Sequence, residues 1–355
     1  CDFFEPANFF FGRGVPLFFS PPLVQLPISL AGLSAAVIAK LLSVIGLGTV
    51  FSLTTTGWIV ERLSPASSDK GAKEGKEGEK VVKVPPVQQR DPAKSPVLRA
   101  AAVVSLVSAV LGFEKLLILA FSVTALQLGK CFPAPVRNFL PAIVTCAALS
   151  SFVVWSIGGS AALLAYKNAS GGLFGGTGPG DLLFSFAAPA IVALGFRLYE
   201  QRDLLRLHLV QIVGGSMAAA VLSVLFTVVT ASAVRLPTQL SLSLMTRFIT
   251  LPIALPISEA LGANVGIAAL AICLQGILGG NIGPAILNKV KAKNTIARGV
   301  AIGAASHALG TASVAGSEPD IAPTSAVTFL VTGVFIAALF QLGGVRAAVK
   351  AAVSI

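Results

Sequence analysis

Long apolar runs separated by short polar or charged interruptions set the pattern of this chain, and crossing a bilayer core takes about 20 apolar residues. Residues 31–60 form such a run, closed by Trp58 and the pair Glu61-Arg62, as expected of a span with an aromatic interface anchor. Residues 138–158, 182–199 and 207–234 predict further spans, the second with Pro189 at its centre and the third a clean long helix. A mixed stretch at 238–261, a run at 263–288, an interrupted segment at 299–314 and a final span at 323–345 follow. Residues 97–112 and 115–129, interrupted at Glu114-Lys115, fit two short helices or one long tilted one. Residues 1–30, rich in Phe and Pro, fit an interfacial or partly inserted segment, because Pro21 and Pro22 disrupt a straight helix.

One stretch breaks the pattern. Residues 64–96 carry seven Lys/Arg and five Asp/Glu with Gly, Ser and Pro between them. They cannot bury enough apolar surface to offset the entropy of ordering, so a disordered linker is expected. The chain thus divides into a small membrane module at 1–63, the linker at 64–96 and a large membrane domain at 97–355. It begins at Cys1 without a basic-apolar-small leader pattern, and a processed or truncated product is expected.

Composition supports the membrane assignment. Hydrophobic residues make up 55% of the chain and charged residues 12%, against roughly 25% charge in a soluble domain. The alternating segments of a β-barrel are missing. The fold class is an all-α polytopic membrane protein with the bilayer as its partner. The formal charge of +11 sits in the linker and in short loops, which fits the positive-inside rule and an anionic membrane surface rather than nucleic acid. Cys1, Cys131, Cys146 and Cys273 show no CxxC spacing and there are two histidines, so no metal, disulfide framework or cofactor is expected. The loop at 171–181 is glycine-rich, but no strand precedes it and no Lys-Ser/Thr follows, so it reads as a flexible loop.

Charge also constrains topology. The basic loops at 130–137, 197–206 and 289–298 should share a face. Three full crossings between the second and third would separate them, so 238–261 is expected to enter and return as a hairpin with its turn near Pro252 and Pro256. Irregular backbone at membrane depth is tolerated only where protein or a wet cavity surrounds it, and interrupted apolar segments point to a transporter's binding site. Helix breaks are expected at Pro189, Pro252, Pro256, Gly280, Gly283, Pro284, Gly303 and Gly310. Beside them stand the candidate site residues. Arg247 is a cation for an anionic substrate or a snorkelling interface residue. Thr250, Ser306 and Thr311 supply hydroxyls, and the Asn281 amide can donate to a substrate or satisfy an unwound carbonyl. Glu259 is a candidate for handling a proton or an interfacial carboxylate near water; His307 is a candidate proton carrier or anion ligand, or a packed neutral histidine bonded to a carbonyl. The substrate expected of this set is a small anion. No nucleophile–base pair suggests an enzyme.

Three motifs carry a resemblance: Thr250-Leu-Pro-Ile-Ala-Leu-Pro-Ile-Ser258, Gly276-Ile-Leu-Gly-Gly-Asn-Ile-Gly-Pro284, and the segment from Ala297 through Ser306-His-Ala-Leu-Gly-Thr311 to Ala312. Together they resemble the LrgB/CidB membrane family over about 107–345, and the first module resembles the end of an LrgA/CidA-like protein. A fused pair joined by a linker is similar to the plastidal glycolate/glycerate translocators. The resemblance implies a chloroplast inner-envelope transporter of photorespiratory 2-hydroxy acids, working by exchange or proton cotransport. It also implies an inverted-repeat fold with an elevator-like moving part, and a homo-oligomer is compatible with it. The alternative carried by bacterial relatives is a holin-like or regulatory protein that forms oligomeric pores.

Overall fold

A computed structural model describes residues 14–63, 96–167 and 176–354 of the chain. The expected linker lies outside the described residues except for Pro96, as do 1–13 and residues 171–175 of the glycine loop. Every regular element among the described residues is helical, and six helices are long and apolar enough to cross a membrane.

Two short helices, Pro21–Val24 and Leu26–Leu30, precede α1 (Ala35–Leu63). The pair Pro21-Pro22 and the lone Pro27 cut the entry into short turns, each with Pro at its first or second position, where the missing N–H costs nothing. α2 (Pro96–Val110) and α3 (Glu114–Cys131) are two helices and not one. Gly112 at φ +73° turns the chain between them, and they pack on each other as a helical hairpin. A short helix at Ala134–Phe139 leads to α4 (Ala142–Tyr166), which is broken at Gly158 and Gly159; the latter has φ +62°.

The next span is divided into α5 (Pro179–Ser185) and α6 (Ala187–Glu200). The division falls at Phe186 rather than at Pro189 itself, because a proline clashes with the carbonyl on the preceding turn and is tolerated in a helix's first turn. The clean long helix expected at 207–234 is instead a short helix at Arg202–Leu207, a π turn at Val210–Gly214 and α7 (Gly215–Ala233).

The stretch 238–261 is no single crossing. It forms α8 (Thr238–Ser243), an irregular bend at Leu244–Thr250 and α9 (Leu251–Ala260). Its two arms are antiparallel. The Asn264 amide donates to Ser243 Oγ at 2.9 Å, and Thr246 Oγ1 lies 2.7 Å from Ser258 Oγ. The chain reverses between Thr246 and Ser258, where extended Thr250 leads into the first turn of α9, beside Pro252 and short of Pro256. Pro252 opens α9 and Pro256 lies inside it.

α10 (Val265–Lys289) is continuous, with Pro284 inside it. The breaks expected at Gly280, Gly283 and Pro284 are therefore not breaks. These glycines permit close approach: a Cβ on Gly280 would lie 2.7 Å from Ser313 Cβ, and one on Gly283 would lie 2.5 Å from Ile302 Cδ1. α11 (Thr295–Val314) reverses at His307 (φ +44°, ψ −150°). Gly303 and Gly310 are helical, so the break belongs to the histidine between them. The reversal makes 295–318 a second hairpin, because Arg298 on its first arm pairs with Glu318 beyond its second. α12 (Ala322–Gln341) and α13 (Gly343–Val353) complete the chain.

The two hairpins enter from opposite ends of α10. The first has its base at Asn264, just before α10 begins; the second has its base near Asn288 and Ala292, where α10 ends. The basic segments 197–206 and 289–298 share one end of the bundle, since Leu198, Leu204, Ile296 and Ala297 belong to a single apolar cluster. α1 packs against α7, α10 and α11. Its exposed Leu42, Leu47, Val50 and Trp58 face outward, as lipid-facing positions do.

Candidate functional site

The bend of the first hairpin and the reversal of the second both come to the middle of α1, the first directly at Gly48 and the second through Gln275 at Thr49. Arg247, on that bend, is wholly buried. Its Nη1 donates to Thr227 Oγ1 on α7 and to the Leu244 carbonyl at 3.3 Å. Nε and Nη2 have no partner. Among the described residues no carboxylate lies within salt-bridge distance of it; the carboxylate of Glu318 is paired with Arg298 instead. Holding a guanidinium at membrane depth costs about 2.5–3.5 kcal/mol on insertion scales, so two unused donors there are a strong chemical statement. Snorkelling does not describe this side chain. Three residues further on, Thr250 is buried at the N-cap of α9, whose N-terminal end carries the positive pole of the helix dipole.

The second reversal supplies the other wall. Ser306 is buried and its Oγ has no partner. His307 Nε2 lies 2.8 Å from the Ile272 carbonyl; a carbonyl can only accept, which assigns the proton to Nε2. The Leu309 amide donates to Nδ1 at 3.5 Å. Thr311 Oγ1 donates to the His307 carbonyl at 2.8 Å and lies 2.7 Å from Ser325 Oγ. The reversal fits against α10 because Gly276 and Gly279 face it: a Cβ at Gly276 would lie 2.7 Å from His307 Cε1, and one at Gly279 would lie 2.6 Å from Ser306 Cβ.

Polar side chains inside apolar helices link the two walls. The Thr49 hydroxyl, with one proton for two acceptors, lies 2.8 Å from the Ile45 carbonyl and 3.1 Å from Gln275 Oε1. Gln275 Nε2 donates to the Ala305 carbonyl at 2.8 Å. Ser52 and Ser223 Oγ atoms are 2.8 Å apart. Gly48 borders the Arg247 guanidinium, and a Cβ there would overlap Nη2 and lie 2.8 Å from Cζ.

Of the residues singled out in the sequence, Arg247, Thr250, Ser306, His307 and Thr311 stand at the two reversals. Asn281 does not join them. Its amide donates to the carbonyls of Asn138 and Ile277, at 3.1 and 2.8 Å, on the face of α10 that meets Ala134–Phe139. Glu259 is exposed near the end of α9. Gly48, Thr49, Thr227 and Gln275 were not legible as site residues. The available signal was Gln275, an amide in the middle of an apolar span.

Two helical hairpins projecting from opposite ends into a bundle of apolar, membrane-length helices define a polytopic α-helical membrane protein with re-entrant segments. The LrgB-like family profile matches residues 177–343, which contain both hairpins. The chain is 28% identical over 368 residues to plastidal glycolate/glycerate translocator 1 of Arabidopsis thaliana, covering 99% of this chain and 70% of that protein. It is 30% identical over 196 residues to the uncharacterized protein YxaC of Bacillus subtilis, covering 55% of this chain and 79% of the relative. The chain belongs to the LrgB-like family. No solved structure gives a significant match.

Proposed function

We propose that this protein is a secondary transporter of small carboxylate anions of the 2-hydroxy acid class, glycolate and glycerate among them, and that it is not an enzyme. The observation that carries the reading is Arg247, a buried guanidinium with two free donors and no acidic partner among the described residues, at the bend of a hairpin. A carboxylate satisfies both donors and the charge at once. Ser306 Oγ is a further unused group for the substrate hydroxyl. The name of the Arabidopsis relative, a chloroplastic plastidal glycolate/glycerate translocator, supports the substrate class and a plastid location, within which a multi-pass transporter belongs in the inner envelope in this reading. In this reading the hairpins move to expose Arg247 to one side and then the other, in an elevator-like displacement, with exchange or proton coupling. His307 is the proton candidate at the site; exposed Glu259 can act only from outside it.

Counterflow of labelled glycolate into proteoliposomes tests the proposal. Saturable uptake above passive leak is expected. Arg247→Gln should raise KM roughly thirtyfold or more, since truncating one member of a buried charge pair costs about 2–5 kcal/mol. Uptake that never saturates refutes transport; saturable uptake unchanged in Arg247→Gln refutes the assignment of the site.

A further inference from the structure

We infer that α1, which stands outside the family-matched segment 177–343, is part of the anion site: Gly48 sets the position of the Arg247 guanidinium, and Thr49 with Gln275 holds the second reversal in place. The inference rests on the reading of Arg247 as the anion-binding group.

Three observations lead to it. Gly48 and Thr49 lie in the middle of a 29-residue helix, at the same depth as Gln275 near the middle of α10. With no side chain, Gly48 lets α1 approach so closely that its backbone forms the surface against which Nη2 lies. Two residues away, Gly46 has nothing within 4 Å of a built Cβ, so the crowding belongs to Gly48 and not to the helix as a whole.

The second observation is the relay. The first arm of α11 ends at the His307 reversal, and the last carbonyls of a helix lack intrahelical partners. Gln275 Nε2 donates to one of them, Ala305 O, at 2.8 Å, and Thr49 orients that amide through Oε1 at 3.1 Å. The third is burial: Thr49 and Gln275 are both fully buried, so neither bond competes with water. Gly48 and Thr49 are therefore positioning residues. One acts on Arg247 and the other, through Gln275, on the backbone that presents Ser306 and His307.

The experiment uses the full chain in proteoliposomes and glycolate counterflow. Gly46→Ala is the control and should match wild type. Gly48→Ala should raise KM about tenfold or more, with the maximal rate altered by less than threefold, because it displaces a binding group. Thr49→Val keeps the shape and removes the hydroxyl; Thr49→Ser keeps the hydroxyl and removes the methyl. A positioning role predicts impaired transport in Val and rescue in Ser, whereas packing alone predicts the reverse. If Gly48→Ala does not fold, the Thr49 pair decides. Saturable wild-type uptake with KM unchanged in Gly48→Ala, or with Val as active as Ser, overturns this inference and leaves the anion site standing. Absence of saturable wild-type uptake removes both.

Discussion

Replacing Glu318 by Gln opens the base of the second hairpin, and the structure allows the size of the effect to be worked out. Arg298 donates through Nε to Glu318 Oε2 at 2.8 Å and through Nη2 to Oε1 at 2.6 Å. Nη1 donates to Asn288 Oδ1 at 2.8 Å and to the Ala292 carbonyl at 3.0 Å. Glutamine keeps one acceptor, turns an N–H2 toward the guanidinium and removes the countercharge. A bond to a charged group contributes about 1.5–3 kcal/mol when desolvated, and an exposed ion pair about 0.2–1. With side-chain exposures of 11% for Arg298 and 24% for Glu318, the pair falls between these cases, and a loss of about 2 kcal/mol follows. At 1.4 kcal/mol per factor of ten, opening of the hairpin becomes roughly thirtyfold more frequent. Hydrogen exchange measured by mass spectrometry in nanodiscs reads this directly: peptides covering 295–318 should lose about thirtyfold in protection, while α7 peptides serve as an internal reference. Arg298→Leu should cost more, because it also leaves Asn288 and the Ala292 carbonyl unpaired. The double variant should fall short of the sum by at least about 1 kcal/mol. Protection within twofold of wild type in Glu318→Gln, or strict additivity, refutes the assignment of this pair as the clamp.

Other substitutions probe the same architecture. His307 occupies a backbone conformation that disfavours any side chain, so His307→Gly should be more stable than His307→Ala by about 1–3 kcal/mol in detergent unfolding; equal stability would contradict the reversal. Gly159 has φ +62° and open space around a Cβ, so Gly159→Ala should lose about 1–2 kcal/mol from backbone strain alone, measured by its thermal midpoint. Ser223→Ala leaves buried Ser52 without its partner and should cost about 1–3 kcal/mol. The Ser52→Ala/Ser223→Ala double variant should recover most of that in the same assay.

The spans were legible because apolar length is a one-dimensional property, and the first hairpin was legible because loop charge counts crossings. Where the chain bends was not. Pro252, Pro256 and Pro284 were natural suspects, yet a proline in a first turn or within a supported helix need not break it. The break at His307 carries no local signature, since ψ −150° takes it out of the left-handed helical region that histidine visits at positive φ, and only tertiary packing holds it there. Arg247, Ser306 and His307 stood out as polar residues in apolar sequence. Asn281 stood out equally and serves a contact with Ala134–Phe139 instead, because which face of α10 meets which neighbour is a property of the packed bundle. Gly48 was invisible for the complementary reason: its role is to be absent, and one glycine among 35 shows this only beside its neighbour.

The hydroxyls of α1 bear on how the protein is made. α1 precedes α7, α10 and α11, the helices it finally packs against, in the chain, and a segment that enters lipid ahead of them must sit there without them. Thr49 reaches the Ile45 carbonyl at 2.8 Å, Thr54 the Val50 carbonyl at 2.8 Å and Thr55 the Phe51 carbonyl at 2.7 Å. Each bond lies within the helix itself, so these groups are satisfied in hydrocarbon before any partner arrives. When α10 is inserted, the Thr49 proton can be shared with Gln275 without passing through an unpaired state. A helix that carries polar groups for a later interface can thus enter the membrane as an ordinary apolar one.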